Sequence, residues 1–255
     1  MKSAIVTIAG LSSRFNQGIP QEQHRLKAIY FEGNAQETLL YHMLMRLRDM
    51  DRIILVAGYK ADDLREYLDT SVPADIREKI SVVYNDHYED WASGYSLYLG
   101  IKEVLKYCPD TVIFAEGDLD VDDDEFRSVA ECSGSVITCN HEIIRSKKAV
   151  IGYCDANNRY KYAFNASHGL VSVDEPFSLL FNSGQIWKFT NMDFLKEANY
   201  DFEKNKENGT NLLIVGGYFG REKFEDIELI AFDRWVNCNT REDYREILAH
   251  WEVKE

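Results

Sequence analysis

The sequence lacks several features that mark particular classes of protein. Only 4 of its 255 residues are proline, and no Gly/Ser-rich or Pro-rich stretch indicates a linker. No apolar run approaches the roughly 20 residues that a membrane-spanning helix needs. The five cysteines are an odd number, widely spaced and without a C-x-x-C pair, which argues against a disulfide framework or a structural zinc site. The first residues also lack the regions of a signal peptide, so we expect a cytoplasmic protein with reduced thiols.

Positive charge is also scarce. Lys and Arg number 29 against 43 Asp and Glu, which gives a net charge of −14 at pH 7. Nonspecific binding to nucleic acid or anionic lipid depends on Lys and Arg side chains that displace counterions. We therefore expect neither nucleic acid nor a membrane as a partner, although a local basic pocket for a small anion is compatible with this charge.

The first half of the chain alternates short runs rich in β-branched residues with helical patterns. Leu39, Leu40, Met43, Leu44 and Leu47 recur at helical spacing, for example. Such alternation indicates βαβ units. The predicted fold class is α/β, a three-layer α/β/α sandwich with a mixed, mainly parallel central sheet. The predicted strands, which read as buried on both faces, are 4–9, 53–57, 80–84, 111–115 and 135–139.

The second half is less regular. We interpret it as an elaboration of the same core, within one domain spanning residues 1–255. Its predicted helices are 191–204, 210–219 and 241–251. Its predicted strands are 149–154, 160–165, 170–174, 182–189 and 227–232.

A turn rich in small residues follows the first predicted strand. Gly10 allows close approach of a ligand, while Arg14 can bind oxygens bidentately, and Lys27 is a second cation nearby. This pattern suits a phosphate cradle, although it is neither a G-x-G-x-x-G fingerprint nor a Walker A loop. An ordinary turn with a surface Arg and a solvated Lys is the alternative. The turn reads Ala9, Gly10, Leu11, Ser12, Ser13 and Arg14.

Acidic residues follow the predicted strand 111–115. Ligands of open α/β sheets bind beyond the carboxyl ends of the strands, so Asp118 is a candidate Mg²⁺ ligand. The run to Asp122 imitates the start of an EF-hand loop, but its sixth position is Asp123 rather than Gly. We interpret 122–125 as the solvated acidic start of a helix.

Two further segments carry polar residues at predicted strand-to-helix junctions. Asn85 follows one strand, with Gly94 and Ser96 at the expected start of the next helix, a position suited to a base or phosphate. Asn237 and Asn239 follow the last strand. Capping of the final helix is an alternative explanation for Asn239.

These features, in this order, resemble the nucleotidyltransferases of the GT-A-like nucleoside-diphospho-sugar family, and most closely the branch with the phosphocholine cytidylyltransferases. Members carry A-G-x-G-S-R-F/L, then a Lys about a dozen residues later, a central Gly-Asp and a closing W-x-E-I-D-T-x-E-D. Here these are the turn with Arg14, then Lys27, Asp118 and the segment 235–243. Ser12 replaces the second Gly, and Asn237 with Asn239 replaces the acidic pair.

The resemblance implies a Mg²⁺-dependent cytidylyltransferase that joins CMP from CTP to a small phosphorylated or phosphonylated headgroup and releases pyrophosphate. Phosphocholine, phosphoethanolamine, an aminoalkylphosphonate and a phospho-amino acid are open as acceptors. Residues 1–140 would form the nucleotide-binding core and 141–255 the acceptor-binding elaboration. Residues 9–13, Asn85, Gly94 and Ser96 would bind the nucleotide, Arg14 and Lys27 would act in catalysis, and Asp118 and Asn239 would hold Mg²⁺.

The acceptor pocket is the least defined part of this comparison. Tyr153, Trp187 and Trp235 are candidates for its walls, since aromatic faces suit a quaternary ammonium. Core packing is the alternative for these residues, and we favour it for a fourth aromatic residue, Phe181. Two other functions stay open: a nucleotidyltransferase for a sugar 1-phosphate or molybdopterin-type cofactor with another NTP, and a catalytically silent nucleotide-binding regulatory subunit.

Overall fold

Strands and helices alternate along the chain in a computed structural model that describes residues 1–146, 149–163 and 169–254. The strands are β1 (Lys2–Thr7), β2 (Arg52–Ala57), β3 (Ile80–Tyr84), β4 (Thr111–Glu116), β5 (Leu119–Val121), β6 (Ser135–Asn140), β7 (Ile151–Asp155), β8 (Tyr160–Ala163), β9 (Phe177–Phe189), β10 (Ile227–Phe232) and β11 (Trp235–Asn237). The helices are α1 (Leu39–Arg46), α2 (Ala61–Ser71), α3 (Ala74–Arg77), α4 (Gly94–Val104), α5 (Asp123–Glu131), α6 (Met192–Phe202), α7 (Asn211–Phe219) and α8 (Arg241–Lys254).

One mixed sheet forms the centre of the molecule. Its strand order is β10-β6-β9-β4-β1-β2-β3, and β7 and β8 extend it from β9. β1 runs parallel to β2 and β4, whereas β9 runs antiparallel to β4 and β6. A strand from the second half of the chain is thus inserted beside the parallel core, and the predicted mixed, mainly parallel sheet is confirmed.

Helices cover both faces of this sheet. Because successive side chains of a strand point to opposite faces, Ala4 and Val6 pack into one cluster and Ile5 into the other. The first cluster includes apolar residues of α1, α2 and α5, and the second those of α4, α6 and α7. The three-layer α/β/α arrangement follows from this division.

A third apolar cluster joins the segment after β1 to α8. Phe15 is 2% exposed and packs with Leu39 of α1 and with Tyr244 and Ile247 of α8. The Tyr30 ring lies edge-on between Phe15 and Tyr244, with its centroid 5.0 Å from each. The final helix therefore fixes the segment that follows the first strand.

Three predicted elements differ from the structure. β3 is half-exposed rather than buried on both faces, because it is the edge strand of the sheet. Residues 170–174 form no regular strand among the described residues, and the predicted strand 160–165 runs beyond the described range after residue 163. β9 begins at Phe177, ahead of the predicted residue 182, because its first residues pair with β7 outside the buried core.

All five cysteines are free thiols, as expected. Within the described ranges, no helix combines the length and apolar character needed to cross a membrane.

Candidate active site

A cleft of about 600 Å³ opens at the carboxyl ends of β1 and β4. Its walls come from the turn after β1, the segment after β4, the β3–α4 connection, β9 and the start of α7. Since β1 and β4 are parallel neighbours, the polar residues that follow them meet at one edge of the sheet. The predicted site residues that line the cleft are Ala9, Gly10, Leu11, Ser12, Ser13, Arg14, Lys27, Asn85, Ser96, Asp118 and Asn239.

The turn after β1 is held in a specific conformation. Ser12 has a φ of 54°, in the left-handed region that a residue with a Cβ seldom adopts. The Asn16 side chain donates to the carbonyl oxygens of Ser12 at 3.1 Å and Arg25 at 2.9 Å, and accepts from the Arg25 amide at 3.0 Å. Arg14 is exposed beside the turn and has no ion pair with another described residue. Its guanidinium is therefore available for an anionic ligand.

Lys27 is not a solvated surface lysine. Its Nζ lies 2.6 Å from Asp118 Oδ2 and donates to the Cys238 carbonyl oxygen at 3.0 Å. The two side chains of the ion pair are 20% and 19% exposed. Three segments that are far apart in the sequence thus converge on one ammonium group in the cleft.

A two-stranded sheet places Asn239 beside Asp118. β11 pairs antiparallel with β5, with Asn237 opposite Leu119. The Cys238 amide then donates to the Asp118 carbonyl oxygen at 2.8 Å. Asn239 follows directly and also lines the cleft.

The oxygens gathered here suit a hard divalent cation. Asp118 Oδ1 is buried and has no hydrogen-bond partner, so one carboxylate oxygen is unsatisfied. Among the described residues there is no group of three or more His, Cys, Asp or Glu side chains with metal-binding geometry. Mg²⁺ commonly binds through one or two carboxylates and completes its shell with water and substrate phosphates. Asp118 and Asn239 fit such a site.

The hydrogen bonds at the start of α8 distinguish between the two explanations for Asn239, a metal ligand and a cap of the final helix. The Asp243 carboxylate accepts from the amides of Asn239 and Thr240, each at 2.8 Å, and the Asp243 amide donates to Thr240 Oγ1 at 3.1 Å. This reciprocal pattern is a capping box centred on Thr240. The Asn239 side chain instead donates to the Asn237 carbonyl oxygen at 3.3 Å, so it does not cap the helix.

Asn85 and Ser96 lie together in the wall of the cleft, but Gly94 does not join them. Asn85 Nδ2 donates to Ser96 Oγ at 2.9 Å. Gly94 is buried against Phe202 and Gly209, whose atoms occupy the space that a Cβ would need. Gly94 therefore does not line the cleft, and its lack of a Cβ permits close packing against Phe202 and Gly209.

The aromatic residues expected in an acceptor pocket also lie elsewhere. Trp187 is fully buried, stacks on Phe114 with ring centroids 5.1 Å apart and donates to the Tyr162 hydroxyl. Tyr153 donates to Glu175 at 2.8 Å, and Trp235 Nε1 donates to the Gly184 carbonyl oxygen at 2.8 Å. None of Tyr153, Trp187 and Trp235 lines the cleft. Phe181 is buried in the core, as favoured from the sequence.

Among the polar residues of the cleft that were not predicted, three form one hydrogen-bonded group. Asn211 Nδ2 donates to Glu116 Oε1 at 2.6 Å, and Gln185 Nε2 donates to Glu116 Oε2 at 2.9 Å. Burial, and secondarily the charge of Asp118, raises the pKa of Glu116 from 4.5 to about 7. Glu116 belongs to the acidic segment that follows the predicted strand 111–115, so its position at a strand end could have indicated it. No local sequence pattern indicates Gln185 or Asn211, because the tertiary packing of β9 and α7 brings them to the site.

Comparisons with known proteins agree with this architecture. A family model described as a domain of unknown function, DUF6564, matches residues 23–251. No curated protein matches the sequence significantly. Many solved structures are similar, all of the ones described next at low sequence identity.

The inositol-1-phosphate CTP transferase from T. maritima is 16% identical, with a TM-score of 0.65, over 98% of this chain and 95% of its own. The CTP:phosphocholine cytidylyltransferase from Streptococcus pneumoniae is 14% identical, with a TM-score of 0.62, over 98% and 99%. A UDP-glucose pyrophosphorylase is 14% identical, with a TM-score of 0.66, over the full length of both chains. The chain therefore shares its fold with nucleotidyltransferases.

Proposed function

The chain belongs to the DUF6564 family, and we propose that it is a nucleotidyltransferase. It would join the nucleoside monophosphate of an NTP to a small phosphorylated or phosphonylated acceptor and release pyrophosphate. The observation that carries this proposal is the 2.6 Å ion pair of Lys27 with Asp118 beside the turn that bears Arg14. A cation, an acidic metal-ligand candidate and a free guanidinium in one cleft suit a substrate with several phosphates.

The proposed reaction is an in-line displacement. A phosphate or phosphonate oxygen of the acceptor attacks the α-phosphorus of the NTP. A new P–O bond forms as the bond between the α-phosphorus and the bridging oxygen breaks, and pyrophosphate leaves. This chemistry depends mainly on positioning the reactants and neutralising their negative charge.

We assign the positioning of the reactants and the neutralisation of their charge to different residues of the cleft. The backbone of residues 9–13 and the Arg14 guanidinium would hold the β- and γ-phosphates. Lys27 would lie between the α-phosphate and the attacking oxygen, where its charge reduces the repulsion between two anions. Asp118 and Asn239 would hold Mg²⁺, which when bound polarises the α-phosphate.

CTP is the first nucleotide to test. The sequence motifs are most similar to those of cytidylyltransferases, and two of the three similar structures described above are named as CTP enzymes. The third, a UDP-glucose pyrophosphorylase, supports a sugar 1-phosphate as the second acceptor class. The acceptor and the base are therefore tested together.

The test is a screen of the four NTPs against small phosphates, phosphonates and sugar 1-phosphates with Mg²⁺, read by pyrophosphate release. We expect release that depends on CTP and on an acceptor, and its loss in Arg14→Ala. The exposed Arg65→Ala is the matched control and should retain the activity. Release only with UTP, dTTP or GTP would support the sugar or cofactor enzyme. Tight nucleotide binding without release in any combination would support a silent regulatory subunit.

A further inference from the structure

Asn16 is a buried polar residue beside the cleft rather than in its wall. It is 3% exposed and does not belong to the residues that line the cleft. Its Nδ2 donates to the carbonyl oxygens of Ser12 at 3.1 Å and Arg25 at 2.9 Å, and its Oδ1 accepts from the Arg25 amide at 3.0 Å. Both N–H donors and the acceptor oxygen of the side chain are thus used. A buried polar group with all of its hydrogen bonds made fixes the backbone around it in one conformation.

These hydrogen bonds close the loop that residues 17–24 form. The Asn16 side chain binds both the amide and the carbonyl oxygen of Arg25, so the chain leaves and returns at one place. Inside the loop, His24 Nε2 lies 2.9 Å from the Ile19 carbonyl oxygen. A compact surface loop with its ends together can differ in sequence or length while the chain on either side keeps its place. The position of the chain after the loop therefore depends on Asn16.

Lys27 comes two residues after this closure. Its amide donates to Ser12 Oγ at 3.2 Å, and its Nζ lies 2.6 Å from Asp118 Oδ2 in the cleft. Ser12 thus accepts from Asn16 through its carbonyl oxygen and from Lys27 through its hydroxyl. The side chains of Asn16 and Ser12 together join the backbone of Lys27 to the turn that bears Arg14.

A lysine places its charge only as precisely as its backbone is held, because its four-carbon stem is flexible. A displacement of about 1 Å at a reacting group can lower a rate by roughly 10²-fold. Without the Asn16 side chain, the Arg25 amide and two carbonyl oxygens lose their partner. The chain just ahead of Lys27 is then released from the turn, and the position of Nζ becomes less defined.

We propose that Asn16 is a positioning residue that sets the place of the Lys27 ammonium group relative to the turn with Arg14. The inference rests on the proposed function, because that function assigns the β- and γ-phosphates of the NTP to the turn and the α-phosphate to Lys27. Successive phosphorus atoms of a triphosphate are joined through one bridging oxygen, so the two cationic groups must keep a fixed spacing. Asn16 touches neither reactant and acts through Lys27.

Amide hydrogen exchange, followed by mass spectrometry, tests this contact without any substrate. We expect the peptide that covers residues 25–28 to exchange at least about tenfold faster in Asn16→Ala than in the wild type. Asn191→Ala is the matched control, since it removes another asparagine that accepts from two backbone amides, at the start of α6 and outside the cleft. It should leave exchange at 25–28 unchanged. Asn16→Ser, whose shorter side chain cannot span both groups of Arg25, takes the place of Asn16→Ala if that variant does not fold.

The kinetics of pyrophosphate release test whether Asn16 acts through Lys27. We expect Asn16→Ala to lower kcat/KM at least about tenfold in the wild type, and less than twofold in a protein that already carries Lys27→Ala. A residue that only supports the fold would cause the same fold-loss in both proteins. Asn191→Ala should keep wild-type kinetics.

Unchanged exchange at 25–28 in Asn16→Ala would overturn the inference, as would equal losses of kcat/KM with and without the Lys27 side chain. Pyrophosphate release by the wild type is judged separately. Faster exchange in a protein that releases no pyrophosphate with any NTP and acceptor would reject the transferase and keep the link between Asn16 and Lys27. Release together with unchanged exchange would keep the transferase and reject the link.

Discussion

The backbone amide of Lys27 donates a hydrogen bond to the hydroxyl of Ser12 at 3.2 Å. Ser12 is one of the few non-glycine residues with a positive φ, and its carbonyl oxygen also accepts from Asn16. The Cβ of Ser12 makes this positive φ unfavourable, but the hydroxyl of the same side chain links the turn after β1 to the segment that carries Lys27. This contact gives a physical reason for serine at a position where the resembling enzymes have glycine.

Two substitutions of Ser12 distinguish the effect of backbone strain at positive φ from the effect of the hydrogen bond to its hydroxyl. Ser12→Ala keeps a Cβ at positive φ and loses the hydroxyl, so we expect the free energy of unfolding to fall by about 1–2 kcal/mol. Ser12→Gly loses the same hydroxyl but relieves the backbone strain, so its loss should be smaller, within about 0.5 kcal/mol. Urea unfolding of the three proteins measures both values. Equal losses in the two variants would show that the strain contributes nothing.

Lys27→Ala tests the role of the ammonium group. We expect kcat/KM for pyrophosphate release to fall by roughly 10²-fold or more, because the variant loses charge stabilisation of the reacting phosphates. Steady-state kinetics at saturating Mg²⁺ measures the effect. Lys102→Ala, on the solvent side of α4, is the matched control and should keep wild-type kinetics. Unchanged kinetics in a folded Lys27→Ala protein would limit the ion pair with Asp118 to a structural role.

Substitutions of Asp118 and Asn239 test the cation site. Asp118→Asn leaves two neutral amides and should nearly abolish turnover. Asn239→Asp adds a carboxylate and should lower the Mg²⁺ concentration that gives the half-maximal rate, because hard cations favour anionic oxygen. Titration of Mg²⁺ against rate for the wild type and both variants measures these effects. Identical half-saturation in the wild type and Asn239→Asp would remove Asn239 from the metal site.

His42 should make the stability of the protein depend on pH. Burial, and secondarily the positive charge of Arg46, lowers the pKa of His42 from 6.5 to about 4, and its ring stacks on Trp251 with centroids 3.6 Å apart. Between these pH values the unfolded chain binds a proton that the folded protein does not. Stability from this group is thus complete above pH 6.5 and is lost as the pH falls toward 4, by about 2–3 kcal/mol.

Urea unfolding at pH 4.5 and pH 7.5 measures this dependence. His42→Phe keeps an aromatic ring against Trp251 and cannot take up the proton, so its stability should fall less than that of the wild type at the lower pH. His141→Gln, which changes an exposed histidine, should behave as the wild type. The same pH dependence in all three proteins would mean that His42 is not responsible.

The positions of the strands could be predicted from the sequence, since buried parallel strands are short runs of β-branched residues. The prediction for 80–84 matches the limits of β3, but its burial was wrong because position at a sheet edge is a property of the strand order. β9 was recognised only in its buried part. Its first residues are exposed and pair with β7, so they lack the apolar pattern on which the prediction depended.

The cleft was predictable where its residues lie next to strand ends. Asp118 and the turn after β1 meet because the carboxyl ends of parallel strands lie at the same edge of the sheet. This proximity could therefore be predicted from the sequence. Trp187 and Tyr153 could not be placed in this way. An aromatic residue of a buried strand has the same local pattern whether it faces a ligand or a packed helix, and here both hydrogen-bond within the protein.

The packing of Phe15 against Tyr244 joins segments near either end of the sequence. During synthesis the turn that follows β1 is made long before α8, the helix that packs against it. Until that helix is in place, Phe15 has only part of its apolar surroundings, from Leu39 and Tyr30. Contacts between residues so far apart in sequence form only at the cost of a large loop-closure entropy, which slows folding. The turn that carries Arg14 therefore reaches its final packing only when α8 docks against it.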